Sequence, residues 1–339
     1  LEFRRVLFRS GFFELALMRK REDIDQKKLS ELYYKYINVE DDFVRALFLS
    51  GETSLGRVFV HEPVLPEDCG YSILDHEKAS EVIAGSSCIA VGLCYCRQKM
   101  AHLGKACNAP MNICMTLNEP GASMVRNGIA RRVEKKEALD LLQSAYEHNL
   151  VQGGENVRKN VSFICNCCGC CCEALIAARK FGMEHPIETT NFIPVPDTEK
   201  CSGCGKCVSV CPVAAITMES KNNGDGKKAA LSEKICLGCG LCVRNCPQNA
   251  IKLKPRPSRV VTPVDMTYRT VLMAIERGLI QNLIFDQQAL LSHRIMASIL
   301  GAILKMPPIK QAMANKQLKS LYIDALINWK GDIFEGKRF

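Results

Sequence analysis

Cys201-Ser-Gly-Cys204-Gly-Lys-Cys207-Val-Ser-Val-Cys211-Pro212 and Cys236-Leu-Gly-Cys239-Gly-Leu-Cys242-Val-Arg-Asn-Cys246-Pro247 repeat one cysteine spacing within fifty residues. Thiolates three residues apart in a tight loop can hold three corners of an iron–sulfur cubane. The fourth cysteine of each run then reaches the other cluster. The spacing therefore assigns Cys201, Cys204, Cys207 and Cys246 to one 4Fe-4S cluster and Cys236, Cys239, Cys242 and Cys211 to a second. Zinc knuckles would explain each C-x2-C pair, but zinc needs only four ligands and leaves the C-x3-C-P tails without purpose. On this reading Cys207→Ser or Cys242→Ser costs one cluster each.

Around this core the chain repeats itself. Each fourth cysteine opens a parallel phrase, Cys-Pro-Val-Ala-Ala-Ile-Thr-Met and Cys-Pro-Gln-Asn-Ala-Ile-Lys-Leu, expected to run from a helical turn into a strand. The polar stretch 220–228, with two glycines, is expected as a solvated hairpin loop. Proline-rich joints at 193–197 and 254–258 read as stiff linkers, giving a module over 193–257. Upstream lies a cysteine-rich α+β domain, 11–192, and downstream a helical segment, 258–339. The fold class expected is α+β, a two-fold ferredoxin-like module embedded in a mostly helical chain. Residues 1–10 read as translated sequencing adapter, so the native start is expected to be missing, with any export signal.

Helical spacing predicts helices at 11–38, 40–49, 75–84, 133–148 and 173–180, and after the module at 264–278, 287–304 and 309–329. Strands are expected at 57–62, 88–93 and 161–164, with a turn at Gly153-Gly154. The C-terminal helices read as a cap on the module or as a docking surface for a partner or a membrane.

Two further cysteine groups stand upstream. Cys94, Cys96, Cys107 and Cys114 match no common zinc or ferredoxin spacing, yet supply four thiols. Residues two apart on a straight strand face opposite ways, so Cys94 and Cys96 share a centre only if the chain turns there. Arg97, Lys99 and Lys105 are placed to favour thiolates. The second group crowds Cys165, Cys167, Cys168, Cys170, Cys171 and Cys172 into eight residues. A helix starting near Gly169 would gather Cys168, Cys171 and Cys172, with Cys165 or Cys167 completing four. Both groups are candidate cluster sites, separate or shared, with buried thiols, redox-active dithiols and zinc as alternatives. Cys69 and Cys88 read as structural, and His102 as loop surface.

Twenty cysteines in 339 residues, packed at ligand spacing, imply a reduced environment, the cytoplasm of an organism living with little oxygen. The formal charge is +9, or +7 once the three Arg and one Glu of residues 1–10 are set aside. Scattered Lys and Arg without interleaved aromatics argue against nucleic acid. No apolar stretch is long enough to span a membrane.

The double motif resembles bacterial two-cluster ferredoxins. The wider chain, through Cys94-Tyr-Cys96-Arg97, Gly104-Lys-Ala-Cys107, Pro110, Cys114, Asn149-Leu-Val151 and Ile164-Cys-Asn-Cys-Cys-Gly-Cys-Cys-Cys172, resembles a family of 4Fe-4S dicluster-binding proteins of anaerobic bacteria. Members often carry Gly and His flanking the Leu-Val phrase, where this chain has Asn149 and Gln152. The resemblance implies an electron carrier working beside a larger oxidoreductase as its protein partner. The alternative is an oxidoreductase subunit with a catalytic cluster or dithiol built from the upstream cysteines. No cofactor-binding Gly-rich fingerprint and no nucleophile–base arrangement stands in the sequence.

Overall fold

The structure, a computed structural model, describes residues 12–49, 51–65, 75–181, 186–220, 226–285 and 290–307. Contacts divide the chain into two units, one taking residues 11–49 and 54–262, the other 50–53 and the chain from Pro263. The helix expected at 309–329 and Cys69 lie outside the described residues, as does most of the 220–228 loop.

In the larger unit the first expected helix is broken into α1 (Phe12–Leu15) and α2 (Gln26–Tyr34). The break is local: Asp25 caps α2 by accepting from the Lys28 backbone N–H at 2.9 Å. A π turn follows each of α2 and α3 (Asp41–Val44). Next come β1 (Gly56–Val58), α4 (Ala79–Gly85), β2 (Ile89–Leu93), α5 (Tyr95–His102), β3 (Asn112–Leu117), α6 (Asn118–Arg126), β4 (Arg131–Arg132), α7 (Lys135–Glu147), β5 (Val151–Glu155), β6 (Phe163–Cys167) and α8 (Glu173–Lys180).

These strands make one antiparallel sheet in the order β1-β5-β6-β3-β2-β4. Alternation decides its faces. Ile113, Met115 and Leu117 of β3 and Ile164 of β6 point to one side, where Met115, Leu117 and Ile164 meet Ala138, Leu142 and Tyr146 of α7 and Ile83 of α4. Cys114, Cys165 and Cys167 stand at the alternate positions, on the other side. The expected turn at Gly153-Gly154 is instead the middle of β5. The glycines serve close approach, since a Cβ on Gly154 would lie 2.4 Å from the Phe59 ring.

The proline-rich joints are not free linkers. Residues 192–196 (β7) and 251–255 (β10) pair as an antiparallel ladder that closes the base of the cysteine repeat. Between them run α9 (Lys206–Val210), β8 (Ile216–Ser220), β9 (Lys227–Leu231) and α10 (Leu241–Arg244), so each half gives a short helix followed by a strand. β8 pairs with β9. Because apolar side chains of both stretches share a cluster, with Val58, Val151 and Leu175 packed among Val213, Leu237 and Leu241, residues 11–192 and 193–257 lie in one unit.

The smaller unit holds α11 (Met266–Glu276), α12 (Ile280–Ile284) and α13 (Leu291–Leu304), packed through Val271, Ala274 and Ile280. Within it Thr53 donates its N–H and hydroxyl to the Glu276 carboxylate, both at 2.8 Å. Among the described residues no helix is long and apolar enough to cross a membrane.

Candidate metal centres

In the cysteine repeat the chain builds two cavities. One is lined by Cys201, Cys204, Cys207 and Cys246, the other by Cys211, Cys236, Cys239 and Cys242. Each takes three thiols from one run and the last thiol from the other run. Glycine makes the tight loops possible. Gly203 and Gly238 sit at φ +74° and +70°, and a Cβ on Gly238 would lie 2.1 Å from the Phe192 carbonyl oxygen. Sequence reading missed these glycines, although one stands directly before the second cysteine of each run.

Backbone amides turn toward the sulfurs. Ala215 N–H donates to Cys211 Sγ at 3.1 Å, Ala250 N–H to Cys246 Sγ at 3.2 Å and Gly238 N–H to Cys236 Sγ at 3.4 Å. Such donors favour thiolate over thiol. Burial works the other way, pushing Cys236 up to about 11 and Cys239 up to about 12. Buried thiols of this kind ionise when they bind metal. The two cavities differ in access: Cys204 is exposed, whereas Cys236 and Cys242 are buried.

Upstream, the two sequence groups mix. Cys94, Cys96, Cys114, Cys165, Cys167 and Cys172 close a ring in which the titration of each thiol is shifted by two neighbouring sulfurs. Four elements set it up. Cys114 and Cys165 are opposite one another in the β3–β6 register, one step beyond the Met115–Ile164 pair, and Cys167 follows on the same face. Cys94 is the N-cap of α5 with Cys96 in its first turn, so the chain does turn there, and Cys172 is the N-cap of α8. Both helices aim their positive ends at the ring. Neighbouring sulfurs shift one another: Cys94, Cys165 and Cys172 are drawn below the ordinary thiol range, foremost by Cys114 (for Cys94 and Cys165) and Cys167 (for Cys172), while Cys96, Cys114 and Cys167 are pushed above it.

The remaining four, Cys107, Cys168, Cys170 and Cys171, form a second nest whose sulfurs all lie within 4.8 Å of one another. The helix expected from Gly169 begins only at Glu173, which parts Cys172 from Cys168 and Cys171. Arg97 lies between ring and nest, fully buried. Its guanidinium donates to the carbonyls of Pro110 and Asn166 and stands 3.5 Å from Cys168 Sγ.

Lys99 is equally buried and pairs with Glu173 at 2.5 Å and with Asn38 at 2.6 Å. Burial draws Lys99 down to about 8 against the pull of the Cys96 and Cys172 sulfurs, and burial raises Glu173. The Lys105 ammonium sits 4.5 Å over the Tyr34 ring. Cys88 is half-buried, and His102 is the last residue of α5, with a ring nitrogen 3.2 Å from the Gln98 side chain.

Residues 200–250 match the family of 4Fe-4S dicluster domains. No curated protein matches the chain. The matched stretch contains both four-thiol cavities, and a dicluster domain needs eight ligands of this type. The donor set fits, and two 4Fe-4S clusters are cofactors of this chain.

Proposed function

We propose that the chain is an electron carrier that passes single electrons through two 4Fe-4S clusters and a third iron–sulfur centre to or from a larger protein oxidoreductase. The bound clusters supply one-electron oxidation and reduction. Cys201, Cys204, Cys207 and Cys246 ligate one, Cys236, Cys239, Cys242 and Cys211 the other. The observation that carries this is the crossed lining of the two cavities, because it makes a pair of centres held in one folded unit. The cavity with exposed Cys204 faces the partner.

Four of the six ring thiols hold the third centre. Cys167 and Cys172 of the ring pack in one apolar cluster with Cys211, Cys236 and Cys239, so the ring and the buried cavity share that cluster. The route therefore runs from the ring to the inner cluster and out through the exposed one. Ala215, Gly238 and Ala250 amides stabilise the reduced, more negative state by donating to ligand sulfurs.

Anaerobic purification with iron and sulfide counted per chain tests the proposal. About 12 irons are expected, falling by about four in Cys242→Ser and by about four in Cys165→Ser. About eight irons, unchanged by Cys165→Ser, removes the third centre, and a folded, pale, iron-free chain removes the whole reading.

A further inference from the structure

We propose that Cys107, Cys168, Cys170 and Cys171 hold a single divalent ion of the zinc class as a tetrahedral tetrathiolate, separate from the three electron-carrying centres. Distance is the argument. Zinc–thiolate bonds of about 2.3 Å place the four sulfurs of a tetrahedral site about 3.8 Å apart. Here Cys107 and Cys168 are 3.5 Å apart, Cys170 and Cys171 are 3.6 Å apart, and all four sulfurs lie within 4.8 Å. In a cubane each thiolate stands one bond outside a corner, which spreads the sulfurs to roughly 6 Å. Among the described residues this is the one set of ligand atoms drawn so close, which sets it apart from the eight thiols around the two cavities.

Chemistry selects the ion. Four soft thiolates take zinc in preference to magnesium or calcium, which want oxygen. Four negative sulfurs around a dication leave two charges over, and the buried Arg97 guanidinium, 3.5 Å from Cys168 Sγ, offsets one. The ion ties the loop after α5, which carries Cys107, to the turn between β6 and α8. Both ends of that turn bear ring thiols, Cys167 and Cys172. The turn also packs on the cysteine repeat, where a Cβ on Gly169 would lie 2.6 Å from the Pro212 carbonyl oxygen and Arg179 bridges the Gly169 and Pro212 carbonyls at 2.9 and 2.8 Å. Metal here is a clamp that fixes ring and repeat in register.

The test uses the full chain prepared without oxygen, with zinc, iron and sulfide counted together. About one zinc per chain is expected, lost in Cys107→Ser and in Cys170→Ser while the iron count stays at its parent value. Cys170 is exposed, so its serine variant is the gentler of the two. Growth with cobalt supplies a readout that needs no variant: the unmodified chain should show the ligand-field and sulfur-to-cobalt bands of a tetrahedral tetrathiolate. A chain with its iron sites filled but no zinc and no such cobalt bands overturns the proposal, as does a Cys170→Ser variant that sheds about four irons. One zinc in an iron-free chain would sink electron carriage and leave this site standing.

Discussion

At the scale of single residues the Lys99–Glu173 pair is a buried ionic contact, with the two side chains 0% and 7% exposed. Taking both charges from water is repaid only while each has the other, and Asn38 completes the lysine's bonding. Lys99→Met should therefore lower stability by about 3–5 kcal/mol, because it strands the Glu173 carboxylate in the interior. Joining it to Glu173→Leu should recover much of that loss, since no uncompensated charge is left. Denaturant titration of both variants and the parent measures it, and equal losses in single and double variants would contradict the argument. Arg97 is a second buried cation, and its guanidinium lies where thiolates from both sequence groups converge. Its adjacency to Cys96 was readable; its burial was not.

At the scale of elements, β5 shows how a local signal can mislead. Gly153-Gly154 reads as a turn, yet β5 is an inner strand paired with β1 and β6. The Phe59 ring lies over Gly154 and takes the space that a side chain would fill. Gly154→Ala should cost about 1–3 kcal/mol through overpacking, visible as a lower melting temperature, and Gly154→Ala with Phe59→Leu should lose less than the two single changes added together. Strict additivity would show that the ring is not what forbids the methyl. The joint at 193–197 carries the same lesson. Prolines suggested a linker, but Pro194 and Pro196 sit in a two-stranded ladder in which every β7 residue is also an edge residue, where a missing N–H is tolerated.

At the scale of the whole molecule, the apolar clusters of the larger unit draw none of their described side chains from beyond Leu253. A chain ending at Thr262 should consequently keep its two module clusters, with at least eight irons per chain and a cooperative melt. Loss of the iron in that shortened chain would show that the C-terminal helices complete the unit. What the sequence determined alone was the cysteine repeat, the strand carrying Ile89 to Leu93 and the amphipathic helix of Ala138 and Leu142, because ligand spacing and apolar period are local properties of the chain. Tertiary structure decided the sorting of the ten upstream thiols. Cys107 leaves its sequence neighbours for Cys168, Cys170 and Cys171, and Cys165, Cys167 and Cys172 part from those three to join Cys94, Cys96 and Cys114, because strand register and two helix starts bring together sulfurs that are dozens of residues apart. Spacing along a chain fixes which ligands can share a loop, but only the pairing of distant strands fixes which loops share a metal.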